Sequence, residues 1–175
     1  MQTTILNQAF SNQRLPWLLV ASSIFFLEIA ALVFQYGLGY EPCIKCIYQR
    51  LALWALLLSC LPALIAPKLM LTRLISYCSA IFFASWGYKI AAEHVNLQTN
   101  PDPFAASCEL YPRFPEWFAP DVWLPNLFEP RGDCAAIEWE LFGLSMPMWM
   151  QVIFALYLVT FVAVPAYHLI RFKQI

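Results

Sequence analysis

A chain of 175 residues that is 61% hydrophobic and only 12% charged is too apolar for a soluble domain and forms one compact unit. Its net charge of −1 offers no basic stripe for nucleic acid. The sequence shows no internal repeat and no low-complexity segment.

Four apolar stretches reach the roughly 20 residues needed to cross a bilayer: residues 17–36, 46–66, 71–92 and 147–167. The first is longer than the apolar core of a signal peptide and no small-residue cleavage motif follows it, so it is expected to be retained as a helix. Glu28 lies deep within it. An acid at the bilayer centre costs at least about 2.5 kcal/mol, which calls for neutralisation or a partner on another helix. The second stretch is expected to stop between Pro62 and Pro67, where the proline ring and missing N–H end a helix. The last starts at a favourable boundary, with Ser145 as a cap and Pro147 in the first turn.

Short connectors after the first and second helices predict an up-down arrangement. The expected fold is therefore an all-α membrane protein, a four-transmembrane-helix antiparallel bundle. Arg14, Lys68, Arg73, Arg171 and Lys173 flank one face without an acid beside them, whereas ten of the eleven acids fall on the other face. The positive-inside rule then puts both termini in the cytoplasm. The long second outer loop carries seven prolines from Pro101 to Pro130 and many aromatics. Its stretch from Phe114 to Phe128 is expected to lie along the membrane surface as a short amphipathic helix.

This orientation leaves Cys43, Cys46, Cys108 and Cys134 outside, where disulfides persist, and Cys60 and Cys78 inside helices as small packing residues. Cys43-Ile44-Lys45-Cys46 is the sharpest motif. Ile47 stands where haem attachment would require His. A zinc site needs four ligands, and His168 lies across the membrane from His94, so no metal is expected. A static disulfide here would close a loop too short to constrain the unfolded chain. A redox dithiol is the leading reading. Cys46 opens a helix, whose free N–H groups stabilise a thiolate; Lys45 is adjacent and Arg50 sits one turn deeper on the same face. Arg50 can be a snorkelling cation or a group that stabilises a thiolate or an anionic ligand oxygen. His94, beside Glu93 just past the third stretch, can assist proton transfer or simply sit at the interface. Cys108 and Cys134, with 25 residues between them, read alone as a structural disulfide. Two facing disulfides instead suggest a thiol–disulfide relay.

With these motifs in view the chain resembles the disulfide bond formation protein B (DsbB) family of bacterial inner membranes. The likeness runs nearly end to end. It includes Glu41-Pro42-Cys43-Ile44-Lys45-Cys46-Ile47-Tyr48-Gln49-Arg50, Glu93-His94, Pro103-Phe104-Ala105, Cys108, Arg113-Phe114-Pro115-Glu116-Trp117, Gly132-Asp133-Cys134, Gly143-Leu144 and Met146-Pro147. Lys45 departs from the apolar residue usual in the family. The resemblance implies a multi-pass inner-membrane thiol:quinone oxidoreductase with periplasmic loops at about 37–45 and 93–146. Cys108–Cys134 would oxidise a soluble periplasmic thiol oxidase of the DsbA type, Cys108 forming the mixed disulfide. Electrons would pass to Cys43–Cys46 and on to a ubiquinone or menaquinone beside Cys46, Arg50 and His94. A DsbA-type disulfide lies near −120 mV and ordinary structural disulfides below about −300 mV, so the transfer would be uphill by roughly 8 kcal/mol without a stronger terminal oxidant. Two rivals remain: a quinone-linked thiol oxidase of the vitamin K epoxide reductase type, and a non-enzymatic four-helix scaffold stapled by inert disulfides.

Overall fold

The computed structural model describes residues 13–100, 112–115 and 117–172. Cys108, and with it the expected Cys108–Cys134 pair, lies outside the described residues.

Four long helices dominate. Helix α1 (Arg14–Leu32) runs into a single π-helical turn (Val33–Gly37). Helix α2 (Ile44–Ser59) is followed at Cys60 by the short α3 (Leu61–Ile65), then α4 (Met70–Thr99). After two single-turn helices, α5 (Pro120–Trp123) and α6 (Pro125–Phe128), a two-residue hairpin pairs Glu140–Leu141 with Leu144–Ser145 and leads into α7 (Met146–Phe172). Among the described residues, three stretches are long and apolar enough to cross a membrane: Arg14–Gly37, Ile44–Ile65 and Met146–Ile170. The fourth expected span, 71–92, falls in α4, which carries Arg73 and Lys89 and is the most polar of the long helices.

Helix α4 is central, packing against both α2 and α7. Its contact with α7 is close because Gly87 has no side chain: a Cβ there would come within 2.3 Å of the fully buried Phe154 ring. The core also takes Trp17, Ile24, Leu53, Leu56 and Phe161 from the surrounding helices. The outward faces keep Leu, Phe, Val and Ile exposed, including Phe26, Phe82, Leu156 and Val159. Exposed apolar faces on long apolar helices are what lipid contact requires.

Several boundaries differ from expectation for local reasons. The second helix is interrupted at Cys60 and resumes as α3, which ends at Ile65, within the expected stop between Pro62 and Pro67; Pro62 occupies the first turn of α3, where a missing N–H costs nothing. The third helix continues two turns beyond residue 92, so Glu93 and His94 are helical. Ser145 ends the hairpin, and its hydroxyl donates to Gln98 Oε1 at 2.7 Å, tying α7 to the end of α4. Cys60 is fully buried, as a packing residue should be, whereas Cys78 is exposed.

Candidate redox site

The first turn of α2 builds the dithiol. Cys43 is the N-cap residue: its backbone is extended and its sulfur accepts from the Cys46 N–H at 3.3 Å. A cap with this role satisfies one of the free donors of the first turn. The geometry folds Cys43 Sγ back to 3.0 Å from Cys46 Sγ, with the Cys43 thiol donating. Cys43 is buried, while Cys46 is partly open.

A second segment delivers Cys134 to the same place. Arg131 N and Gly132 N both donate to Pro42 O, at 2.9 and 3.1 Å, and Gly132 pairs with Cys43 in a parallel bridge. The approach needs glycine, since a Cβ on Gly132 would sit 2.3 Å from Glu41 O. Two residues later Cys134 is buried with its sulfur close to Cys43: the Cys43 and Cys134 sulfurs and a His94 ring nitrogen all lie within 4.8 Å of one another. Hydrogen bonding of the Cys43 thiol to Cys134, then to Cys46, and finally burial push the Cys43 thiol well above its usual range.

His94 enters from α4 and is 3% exposed. Its Nε2 is 3.5 Å from Cys43 Sγ and 3.2 Å from Cys134 O, and Gln49 Nε2 lies 3.2 Å from Nδ1. The Gln49 amide donating to Nδ1 sets the tautomer, leaving Nε2–H to donate to the Cys134 carbonyl. Burial drives the imidazole down to about 4, against a smaller rise from the Cys134 carbonyl, so it is neutral at neutral pH. Lys45 does not turn toward Cys46; its ammonium meets Glu93 Oε2 at 2.8 Å, joining the start of α2 to α4.

One turn into α2, Arg50 is buried and spans three elements. It donates from Nη1 to Gln35 Oε1 at 2.9 Å and to Leu127 O, and its Nε lies 3.9 Å from Glu28 Oε2. The partner required for Glu28 is therefore Arg50. Gln35 was not singled out from the sequence. It stands in the π turn after α1, a local widening that turns Gln35 and Tyr36 toward the loop, where both donate to Asn126 O. No sequence pattern marks such a turn.

Cys43, Cys46, Glu28, Arg50 and His94 all border one cavity of about 300 Å³, walled mainly by apolar side chains such as Leu27, Phe34, Leu53, Trp139 and Met150. An apolar slot with a few converging polar groups is the usual form of a small-molecule site. From the same first turns of α2, Tyr48 contacts Phe114 edge to face and accepts from Arg113 N at 2.9 Å. The aromatic contacts continue through Phe118 to Trp117 and Trp123, both of which are exposed.

The family model described as disulfide bond formation protein DsbB matches residues 13–164. A disulfide bond formation protein B of Pseudoalteromonas translucida is 47% identical over 149 residues, covering 85% of this chain and 87% of the relative. Proteins of the same description from Aeromonas hydrophila and Haemophilus influenzae are 42% and 43% identical, covering 90% and 86% of this chain and 91% and 84% of the relatives. With three apolar helices able to span a membrane and this likeness over most of its length, the chain is a multi-pass membrane protein that belongs to the DsbB family.

Proposed function

We propose that this protein is a thiol:quinone oxidoreductase of the bacterial inner membrane that reoxidises a periplasmic DsbA-type thiol oxidase. All four long helices cross the bilayer in this reading, with both termini cytoplasmic and the cysteines periplasmic. The exposed aromatics Trp117 and Trp123 rest in the headgroup layer. The observation that carries the proposal is the position of Cys43, 3.0 Å from Cys46 and within 4.8 Å of Cys134. One sulfur that can reach both others is what a relay by disulfide exchange needs.

The exchange steps balance as follows. A partner thiolate attacks Cys108 of a Cys108–Cys134 disulfide; the mixed disulfide forms and Cys134 leaves as the thiolate. The partner's second thiolate displaces Cys108, so the partner is oxidised and two thiols remain here. Cys134 then attacks Cys43 of a Cys43–Cys46 disulfide and Cys46 leaves as the thiolate. Attack of Cys108 on Cys134 restores the loop disulfide and releases Cys43, leaving the reduced Cys43/Cys46 pair. The buried His94 N–H holds the Cys134 carbonyl and adjoins Cys43 Sγ, fixing the geometry of the central exchange.

The cavity beside Cys46 suits a quinone ring: its walls are apolar, its volume is at the lower end for ligand sites, and the buried Glu28 Oε1 on its border has no hydrogen-bond partner among the described residues. A quinone bound there would accept two electrons and two protons. Arg50 is positioned to stabilise negative charge at that end, and Leu27, Phe34 and Met150 exclude water from it.

The test uses purified protein in micelles with a reduced DsbA-type oxidase and a soluble ubiquinone analogue. One quinol should form per partner disulfide, and thiol trapping should catch Cys108 joined to the partner. Partner oxidation without quinol formation would refute the quinone reading; no partner oxidation at all would favour the scaffold.

A further inference from the structure

The cluster that serves disulfide exchange also has the composition of a soft-metal site. We infer that the fully reduced protein binds a thiophilic divalent cation, Zn²⁺ or Cd²⁺, between Cys43, Cys46, Cys134 and His94. The cysteine and histidine donors arrive from three separate parts of the chain: the Cys-x-x-Cys turn, α4 and the segment after Gly132. That convergence supplies the four ligands that neither cysteine pair provides alone.

Donor type and spacing both fit. Three thiolates and one imidazole form a Cys₃His set, which selects zinc and softer ions, whereas calcium and magnesium require oxygen ligands. Cys-x-x-Cys is itself a standard half of a zinc site, with both sulfurs reaching one ion from a helix start. Zinc–sulfur bonds of about 2.3 Å in a tetrahedron put sulfurs about 3.8 Å apart. The Cys43–Cys46 separation of 3.0 Å is shorter than that, and the Cys43, Cys134 and His94 donors lie within 4.8 Å. Those three donors already surround one point, and rotation of the Cys46 side chain, whose sulfur is 3.0 Å from Cys43 Sγ, brings in the fourth.

The surroundings of His94 complete the site. Metal binding through Nε2 gives up its hydrogen bond to the Cys134 carbonyl and shifts the imidazole proton to Nδ1, which then needs an acceptor. Gln49 is buried with its amide 3.2 Å from Nδ1, and a half-turn of that amide presents Oε1 in place of Nε2. Support of this kind for a metal-bound histidine is the usual arrangement.

Three S–H bonds lose their protons on binding, so one M²⁺ replaces three H⁺ and the cluster acquires one negative charge. No electron moves. A disulfide sulfur has no thiolate to offer, so the site exists only while these cysteines are reduced. On the proposed catalytic reading, a bound ion holds the enzyme in its reduced state and blocks reoxidation. The binding itself does not depend on that reading.

The experiment takes the full-length protein in micelles, fully reduced and freed of reductant, and titrates it with Cd²⁺. Thiolate-to-cadmium absorption in the ultraviolet should saturate at one ion per chain. Alkylation read by mass spectrometry should show Cys43, Cys46 and Cys134 protected and Cys60, Cys78 and Cys108 unchanged. Gln49→Leu should weaken binding by about 10- to 100-fold, and His94→Asn should weaken it at least as much. Protection of Cys108 in place of Cys46, or equal cadmium absorption by the disulfide-closed wild type, would overturn the site. The wild-type oxidised and reduced forms suffice if the variants do not fold. Quinol assays on metal-free protein report separately on the catalytic reading, so that reading can fail while the metal site stands.

Discussion

Glu28 and Arg50 face each other from α1 and α2, Oε2 to Nε 3.9 Å, with side chains only 3% and 6% exposed. Arg50 is also held by Gln35 and the Leu127 carbonyl, so the loop, both helices and the cavity meet at one guanidinium. Removing one member of a buried pair typically costs about 3–5 kcal/mol, because the other is left as an uncompensated charge. Removing a charged donor from a developing anion costs about 10²–10³ in rate. Arg50→Ala should therefore lower both thermal stability and quinone-coupled turnover, and Arg50→Ala with Glu28→Gln should recover stability but not turnover. Disulfide exchange between Cys134 and Cys43 should stay near the wild-type rate. Wild-type quinone turnover in Arg50→Ala would remove this residue from the oxidising end.

The buried His94 ties stability to acid. Its ordinary value of 6.5 falls to about 4 in the folded protein, chiefly through burial. Between those values the unfolded chain carries a proton on this ring and the native protein does not. Stability is therefore full above pH 6.5 and is lost as pH falls toward 4, by up to roughly 3 kcal/mol. Thermal unfolding of the metal-free protein should show this decline, and His94→Asn should flatten it. An unchanged acid slope in His94→Asn would assign the effect to other groups.

The long helices were legible because core-facing and lipid-facing positions are both apolar, so hydropathy alone marks most of each run. The Cys-x-x-Cys turn and Arg50 were legible because they share a few residues at one helix start. The relationships between segments were not. Nothing local pairs Glu28 with Arg50, since that contact depends on how α1 packs on α2. Gln35 reaches Arg50 only through the π turn. His94 and Glu93 read as boundary residues because hydropathy falls at 92, although the hydrogen-bonded helix continues to Thr99. Cys134 looked like half of a loop staple; its approach to Cys43 depends on the backbone contact at Gly132.

The orientation read from charge has a direct test. A cysteine placed beside Lys68 should resist a membrane-impermeant thiol reagent applied from the periplasmic side. One placed at the exposed Ile137, in the segment that follows Cys134, should react. Labelling near Lys68 under the same conditions would invert the topology.

Gly132 is the sharpest test of how the two cysteine segments are held together. Its amide and that of Arg131 both hang on the Pro42 carbonyl, and an added methyl would meet Glu41 O at 2.3 Å and Cys43 N at 3.4 Å. The obstructing atoms are backbone, so no rotamer change relieves the overlap and the two segments must part. Cys134 follows two residues later and would move with them. Because misplacement of reacting groups by about 1 Å can cost on the order of 10²-fold, Gly132→Ala should slow formation of a Cys43–Cys134 disulfide by roughly ten- to a hundred-fold. The measurement is oxidant-driven crosslinking in a background of Cys46→Ser and Cys108→Ser, where only this bond can join the two segments. The main apolar core around Ile24, Leu56, Phe154 and Phe161 is a cluster separate from the one holding Cys43, Ile44 and Cys134, so thermal stability should change far less than crosslinking. Crosslinking at the parent rate would mean that the segments meet without the bridge and that Cys134 reaches Cys43 by its own motion.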